Sequence, residues 1–203
     1  FDEYLTFQSH IKVLNAKLKR ANNLLAISRH YVPKHLLLQI YYGQFYSHLT
    51  YGCQLWGQNT QNIEQTITLQ KKAIRLLSFA HFQAHSDPLF KELKLLKLTD
   101  IVKIQNIIFT HNTLNGKAPT VFKNYFKIKH THHQHETVNN LNSTYSIPKG
   151  SIDLPQIRTN SAKNSIKYIC SLNWNSILKK LSMKFPNKYY ANENWLISIK
   201  TST

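Results

Sequence analysis

The stretch Ser9-His10-Ile11-Lys12-Val13-Leu14-Asn15-Ala16-Lys17-Leu18-Lys19-Arg20-Ala21-Asn22-Asn23-Leu24-Leu25 sets Ile11, Leu14, Leu18, Ala21 and Leu25 at alternating three- and four-residue steps. That spacing winds a single apolar stripe along an α-helix, and Ser9 ahead of it is a good N-cap residue. The stripe faces a core. Lys12 and Lys19 fall roughly opposite it on a helical wheel, toward solvent or a partner.

The same period continues along the chain. A second helix is expected to open at Pro33, where a missing N–H costs little. It runs through Leu37, Ile40, Tyr41, Gln44 and His48 to stop near Gly52, and Gly57 marks a short connection. A third helix, from about Asn59, puts Ile63, Ile67, Ile74 and Leu77 on one side, while Lys71, Lys72 and Arg75 fall within a ~100° arc beside it. Asp87-Pro88 reads as a cap with a first-turn proline, introducing Leu89, Leu93 and Leu96 opposite Lys91 and Lys94. Thr99 is the expected cap of a helix that repeats Ile101, Ile104 and Ile108 and ends near Gly116. Pro119 is expected to open a short helix through Phe126. Farther on, Ser165-Ile166-Lys167-Tyr168-Ile169-Cys170 alternates as a strand does, and Trp174 to Phe185 reads as a helix broken by Pro186.

Composition narrows the class. Lysine and arginine total 26 against 9 aspartate and glutamate, a net charge of +17 over 203 residues, which points to a polyanion partner. With 42% hydrophobic residues the chain can bury a real core, and 5 Gly with 6 Pro are too few for the dense turns of an all-β sandwich. The expected fold is therefore mainly α. It divides into a helical bundle over residues 1–126, a polar His/Asn/Ser-rich linker over 127–164 and a small α+β part over 165–203. Cys53 and Cys170 are too few for a disulfide framework and fit a reducing compartment. No stretch approaches eighteen apolar residues and no targeting signal opens the chain, so an intracellular protein with no membrane partner is expected, nuclear or cytoplasmic being left open. With Met183 the sole methionine, the chain is expected to be part of something longer.

Enzyme chemistry finds little purchase. Acid–base and two-metal catalysis need converging carboxylates, and the nine acids are scattered; Asp87 and Asp100 are better read as a helix cap and a first-turn dipole partner. There is no Gly-rich phosphate loop and no Gly-x-Ser-x-Gly elbow. His130, His132, His133, His135 and Glu136 could ligate zinc by side-chain type. A closed site, however, needs four ligands on a folded scaffold, so solvated loop histidines are the reading adopted, with no metal or cofactor held by this chain. Tyr41, Tyr42, Phe45, Tyr46, Tyr51 and Trp56 could stack bases, but their helical spacing assigns them to packing, with Tyr42 and Tyr46 the exposed members. The candidate phosphate contacts are Lys12, Lys19, Lys71, Lys72, Arg75, Arg158 and Lys163; no residue is assigned a catalytic role.

Several motifs recur in a recognisable order. Tyr41-Tyr42, Ser47-His48-Leu49, Tyr51-Gly52, Leu55-Trp56-Gly57 and then Leu69-Gln70-Lys71-Lys72-Ala73-Ile74-Arg75 resemble the segment following the palm in non-LTR (LINE-like) retrotransposon reverse transcriptases. Upstream, Asp2, Leu5, Phe7 and His10-Ile11 resemble the passage from palm into thumb. Downstream, Asp87-Pro88-Leu89-Phe90, the Leu93 to Leu98 run, Leu154-Pro155, Arg158-Thr159-Asn160, Ile166, Tyr168 and Trp174-Asn175-Ser176 are similar to the rest of the family's C-terminal region. Where the family often carries His-x-Tyr-x-Thr-Arg, this chain has His133-Gln134-His135-Glu136-Thr137-Val138. The resemblance implies a thumb-like helical region from a protein that copies RNA into DNA. It also implies a palm whose aromatic-x-Asp-Asp motif binds Mg²⁺. That motif is not in this sequence, so the resemblance implies a noncatalytic piece whose partners are an RNA–DNA or DNA duplex and the parent's fingers and palm. The alternative expectation is a stand-alone nucleic-acid-binding or interaction module derived from such an element.

Overall fold

In the computed structural model, which describes residues 7–58, 60–129 and 150–184, the opening stripe forms α1 (Gln8–Ser28) and buries Ile11, Leu14, Leu18, Ala21 and Leu25. Ser9 is not its cap. The helix begins one residue earlier, after Phe7, which is left-handed at φ 57° and whose carbonyl accepts from the Ile11 N–H.

The expected second helix is present but interrupted. Pro33 stands just before α2 (Lys34–Ile40), a π-helical turn follows over Tyr41–Tyr46, and α3 (Ser47–Thr50) completes the rod. The wider turn has a local cause. Gly43 lowers the cost of departing from α geometry, and the Ser47 hydroxyl donates to the Gly43 carbonyl at 2.6 Å. Within the turn Tyr41 and Phe45 are both buried and stack at 5.3 Å with their planes 15° apart. Gly52, at φ 59°, closes the rod and leads into α4 (Cys53–Trp56).

Next, α5 (Thr60–Leu77) returns alongside α1, burying Ile63, Leu69, Ala73, Ile74 and Leu77. The seam between the two helices is partly polar. Asn15 donates to the Gln65 side chain at 2.9 Å and accepts from the Thr66 hydroxyl at 2.7 Å, and Asn22 donates to the Leu69 carbonyl at 3.0 Å. From Asn15 to Asn22 the partners advance from Gln65 to Leu69, so the two helices run in the same direction.

Downstream, α6 (Ser86–Glu92) and α7 (Leu98–Leu114) depart from the sequence expectation in detail. Asp87 is not the cap of α6; it lies inside the first turn, where it pairs with Lys97 at 3.0 Å. This helix ends at Glu92, four residues short of Leu96, so Phe90 and Leu95 are buried while Leu89, Leu93 and Leu96 are half-buried. Thr99 is likewise inside α7 rather than capping it. The first N–H of α7, on Leu98, donates to Gln70 Oε1 at 2.8 Å, and Gln70 Nε2 donates to the Leu96 carbonyl at 2.9 Å. Gln70 thus performs from a distance the task that a local Thr was expected to perform.

Three helices stop in the same way. After α5, Ala80 N–H donates to Arg75 and Phe79 N–H to Leu76; after α6, Leu95 donates to Phe90 and Lys94 to Lys91; after α7, Lys117 donates to Asn112 and Gly116 to Thr113. Each pair of bonds is a Schellman stop, and each needs a left-handed residue, here Phe79, Lys94 and Gly116. Only the last is the residue type that takes this conformation without steric cost.

Contacts divide the chain into Phe1–Asn106 and Ile107–Thr203. This division falls inside α7 and not at the change of composition near Lys127. In the second unit a 3₁₀ turn (Thr120–Phe122) stands where a longer helix to Phe126 was expected, followed by α8 (Asn160–Lys163) and α9 (Ile166–Lys184). The strand expected over Ser165–Cys170 is the start of α9. Ser165 accepts from the Tyr168 N–H at 3.4 Å as an N-cap would, and Cys170, Trp174 and Leu178 are buried at four-residue steps. Six residues of alternation were outweighed by a longer helical stripe. Of β structure the described residues hold one isolated bridge, Ile128 with Ile152, flanked by Lys129 N–H to Ser151 and Asp153 N–H to Lys127. Within the expected linker, Lys127–Lys129 and Ser151–Asp153 are thus joined by backbone hydrogen bonds; its residues 130–149 lie outside the described residues. No described helix is long and apolar enough to cross a membrane.

Trp174 and Asn175 fix the bridge to α9. Asn175 accepts from the Ile152 N–H and donates to the Ile152 carbonyl, both at 2.8 Å, and Trp174 Nε1 donates to the Gly150 carbonyl at 3.1 Å. Asn175→Ala is expected to leave both polar groups of a buried residue unpaired and lower stability by about 2–3 kcal/mol in urea denaturation, whereas a change under about 0.5 kcal/mol would mean that the clamp is dispensable. A methyl group on Gly57 would lie 2.6 Å from Val102 Cγ2 and against the Cys53 carbonyl. Gly57→Ala is therefore expected to cost about 1–3 kcal/mol by the same measurement.

Candidate nucleic-acid interface

Lys12 and Lys19 are exposed on the side of α1 that turns toward α5. With Gln8, Ile11, Asn15, Ala16 and Gln65 they line a groove of about 500 Å³. Lys72 lies seven residues beyond Gln65, about two turns, and so on the same face of α5. Lys12 and Lys19 are also seven apart, an axial separation of about 10.5 Å, which equals the rise of about three nucleotides at about 3.4 Å each. The groove floor is firm because Asn15, Gln65 and Thr66 are bonded to one another.

The cations of α5 do not act as one arc. Lys71 and Lys72 are exposed, but Arg75 is half-buried and donates from Nε to the Ala84 carbonyl at 2.8 Å, fastening the turn after its own helix. Lys71 faces the neighbourhood of Asp87, whose carboxyl is held below its usual range first by the Lys97 hydrogen bond and further by Lys97, His85 and Lys71 as charges. Arg158 and Lys163 are exposed in the second unit, the latter in the last turn of α8, where Thr159 accepts from the Ala162 N–H at 3.2 Å.

Three acids of the first unit are paired, while Glu64 on α5 is exposed and makes no ion pair among the described residues. Glu92 pairs with Lys34 at 3.0 Å, Asp87 with Lys97 at 3.0 Å, and Asp100 with Lys103 at 3.9 Å. Among the described residues none of Lys12, Lys19, Lys71 or Lys72 makes an ion pair. Their charge is available to an outside anion.

The aromatic group sorts largely as its spacing implied. Tyr41, Phe45 and Trp56 are buried, Tyr42 and Tyr51 are exposed, and Tyr46 is half-buried. Burial pushes the Tyr41 phenol up to about 12, and its enclosed hydroxyl has no hydrogen-bond partner, the nearby Gln70 amide being engaged by Leu96 and Leu98. Burial likewise pushes the Cys53 thiol up to about 11 and the Cys170 thiol to about 12, Thr110 pulling the latter down. Protonated, buried thiols are poor nucleophiles. A second hollow of about 580 Å³, lined by Phe7, Ser9, His10, Tyr51, Gly52, Leu55 and Trp56, is mostly apolar. The His130–Glu136 cluster lies outside the described residues, and among the described residues no three His, Cys, Asp or Glu side chains gather as a metal would require.

Two features were missed by reading the sequence. Asn15 and Asn22, seven apart at the edge of an apolar stripe, signal a polar helix–helix seam. The turn after α5, with its exposed rings, carried no period to attract notice. Comparisons with protein-family profiles, curated proteins and solved structures returned no match.

Neither thiol is expected to react with iodoacetamide at pH 8 in the folded protein, and both are expected to react after unfolding in urea; labelling of the native chain, followed by mass spectrometry, would contradict the burial. Tyr41→Phe removes a hydroxyl that has no partner, so stability is expected to hold or to rise by up to about 1 kcal/mol. With Tyr41 raised above its unfolded value, its contribution is complete below pH 10 and declines as pH rises toward 12. Tyr41→Phe is accordingly expected to flatten the alkaline limb of a stability–pH curve.

Proposed function

We propose that this chain is a noncatalytic section of a non-LTR retrotransposon reverse transcriptase, its thumb-like helices and the region after them, and that it grips template–primer nucleic acid. The observation that carries the reading is the basic strip of α1 and α5, where Lys12 and Lys19 line one groove with Gln65, Lys72 lies two turns farther along α5, and Asp87, Glu92 and Asp100 are paired with other lysines. The order of motifs described above supports the family assignment. The +17 charge supports the class of partner.

Lysines on a rigid helical face hold phosphates by charge and shape, without reading bases. RNA–DNA and DNA duplexes both fit that chemistry, and an intracellular setting follows from it. The Mg²⁺ chemistry of the parent belongs to its palm, and no step of it is assigned to residues here.

If about five phosphates are neutralised, log affinity for a duplex is expected to fall against log salt with a slope of roughly −4 to −5. Replacing Lys12, Lys19, Lys71 and Lys72 by Ala is expected to flatten that slope by about one per lysine and to weaken all sequences alike. An unchanged titration would remove these residues from the interface, and primer extension by the chain alone would overturn the noncatalytic assignment.

A further inference from the structure

Between α5 and α6 the chain runs Ser78-Phe79-Ala80-His81-Phe82-Gln83-Ala84-His85. Phe82 is 72% exposed and Phe79 is 46% exposed, so neither ring is spent on the core. Phe79 also occupies the left-handed stop of α5 at φ 54°, where glycine would sit without strain. A ring thus stands at a site that disfavours it.

This turn is fastened in place. Arg75 Nε holds the Ala84 carbonyl at 2.8 Å, and Ala84 N–H donates to the His81 carbonyl at 2.9 Å. The guanidinium of Arg29, just past the end of α1, lies 5.2 Å from the centroid of Phe79, backing one face of that ring. The His81 ring stands 4.4 Å from Phe82 at 45°. Beside these rings stand the Arg29 guanidinium on Phe79 and His81 on Phe82, with Arg75 anchoring the turn that carries them. Asp87, the nearest acid in sequence, is bound to Lys97.

Exposed rings on a braced turn, bordered by positive charge, fit a partner that offers flat apolar surfaces joined by negative charge. We propose that Phe82, with Phe79 beside it, is a stacking platform for unpaired nucleic-acid bases, taking the single-stranded extension of a duplex whose phosphates lie on the α1–α5 strip. Stacking of this kind is tolerant of sequence, because every base presents a π-face, and nearby cations hold the backbone that carries the bases. The platform rests on the nucleic-acid reading and adds to it a preference for unpaired ends.

The test uses the full chain and fluorescence anisotropy with three probes: a blunt RNA–DNA heteroduplex, the same heteroduplex bearing a short single-stranded overhang, and a single-stranded oligonucleotide. The overhang is expected to bind at least about fivefold tighter per stacked base. Phe82→Ala is expected to abolish that preference while leaving the blunt affinity unchanged, and Phe82→Trp to retain it. Phe79→Gly is expected to weaken the preference without loss of helical circular dichroism, since it relieves the strained stop. Equal affinities of the unmodified chain for the two duplex probes would overturn the platform, as would an undiminished preference in Phe82→Ala. Binding of a single-stranded oligonucleotide without the blunt duplex would leave the platform standing and refute the duplex grip. Binding of none of the probes in dilute buffer would refute both.

Discussion

The seam between α1 and α5 is the constraint on which the first unit depends. Leu18, Leu25, Ala73 and Leu77 are fully or almost fully buried, and burial of each large side chain contributes on the order of 1.5–3 kcal/mol. Apolar contact alone does not fix how two helices sit along one another. Asn15 does, because its amide has both a donor and an acceptor to satisfy and finds them at Gln65 and Thr66. A slip of one turn would leave those groups buried and unpaired, at a cost of about 1–3 kcal/mol each. The same lock sets Lys12 and Lys19 opposite Gln65 and so determines the spacing of the basic strip. Packing register and charge register are one property here.

Amphipathic period was a sound guide to the long helices and a poor guide to where they begin and end. The α1 stripe, the core face of α5 and the stop at Gly116 follow directly from residue spacing. Caps did not, since Ser9, Asp87 and Thr99 all fall inside helices; their places are taken by Phe7 and His85 and, for α7, by Gln70 from another helix. No local rule finds a cap supplied twenty-eight residues away. Helix ends were obscured for a related reason: two of the three Schellman stops use Phe79 and Lys94, residue types that carry no stop signal. The strand at Ser165 failed because alternation over six residues is a weaker signal than a four-residue repeat extending to Leu178.

For the candidate interface, exposure of Lys12, Lys19, Lys71 and Lys72 was legible from helical geometry alone. The commitment of Arg75 was not, because it depends on a turn that folds back to bring the Ala84 carbonyl within reach. Nor could sequence indicate that the neighbouring acids would be drawn to Lys34, Lys97 and Lys103. Net charge states how much positive charge there is; the ion pairs decide which part of it remains for a partner.

Asn175 closes on Ile152 as a second strand would, using one side chain to imitate a backbone neighbour. Together with the Ile128 bridge it ties both margins of the intervening stretch to a helix formed later in the chain. A helix formed late in the chain thus decides whether an earlier backbone pairing holds, so damage at Asn175 reaches the Ile128–Ile152 bridge without touching it.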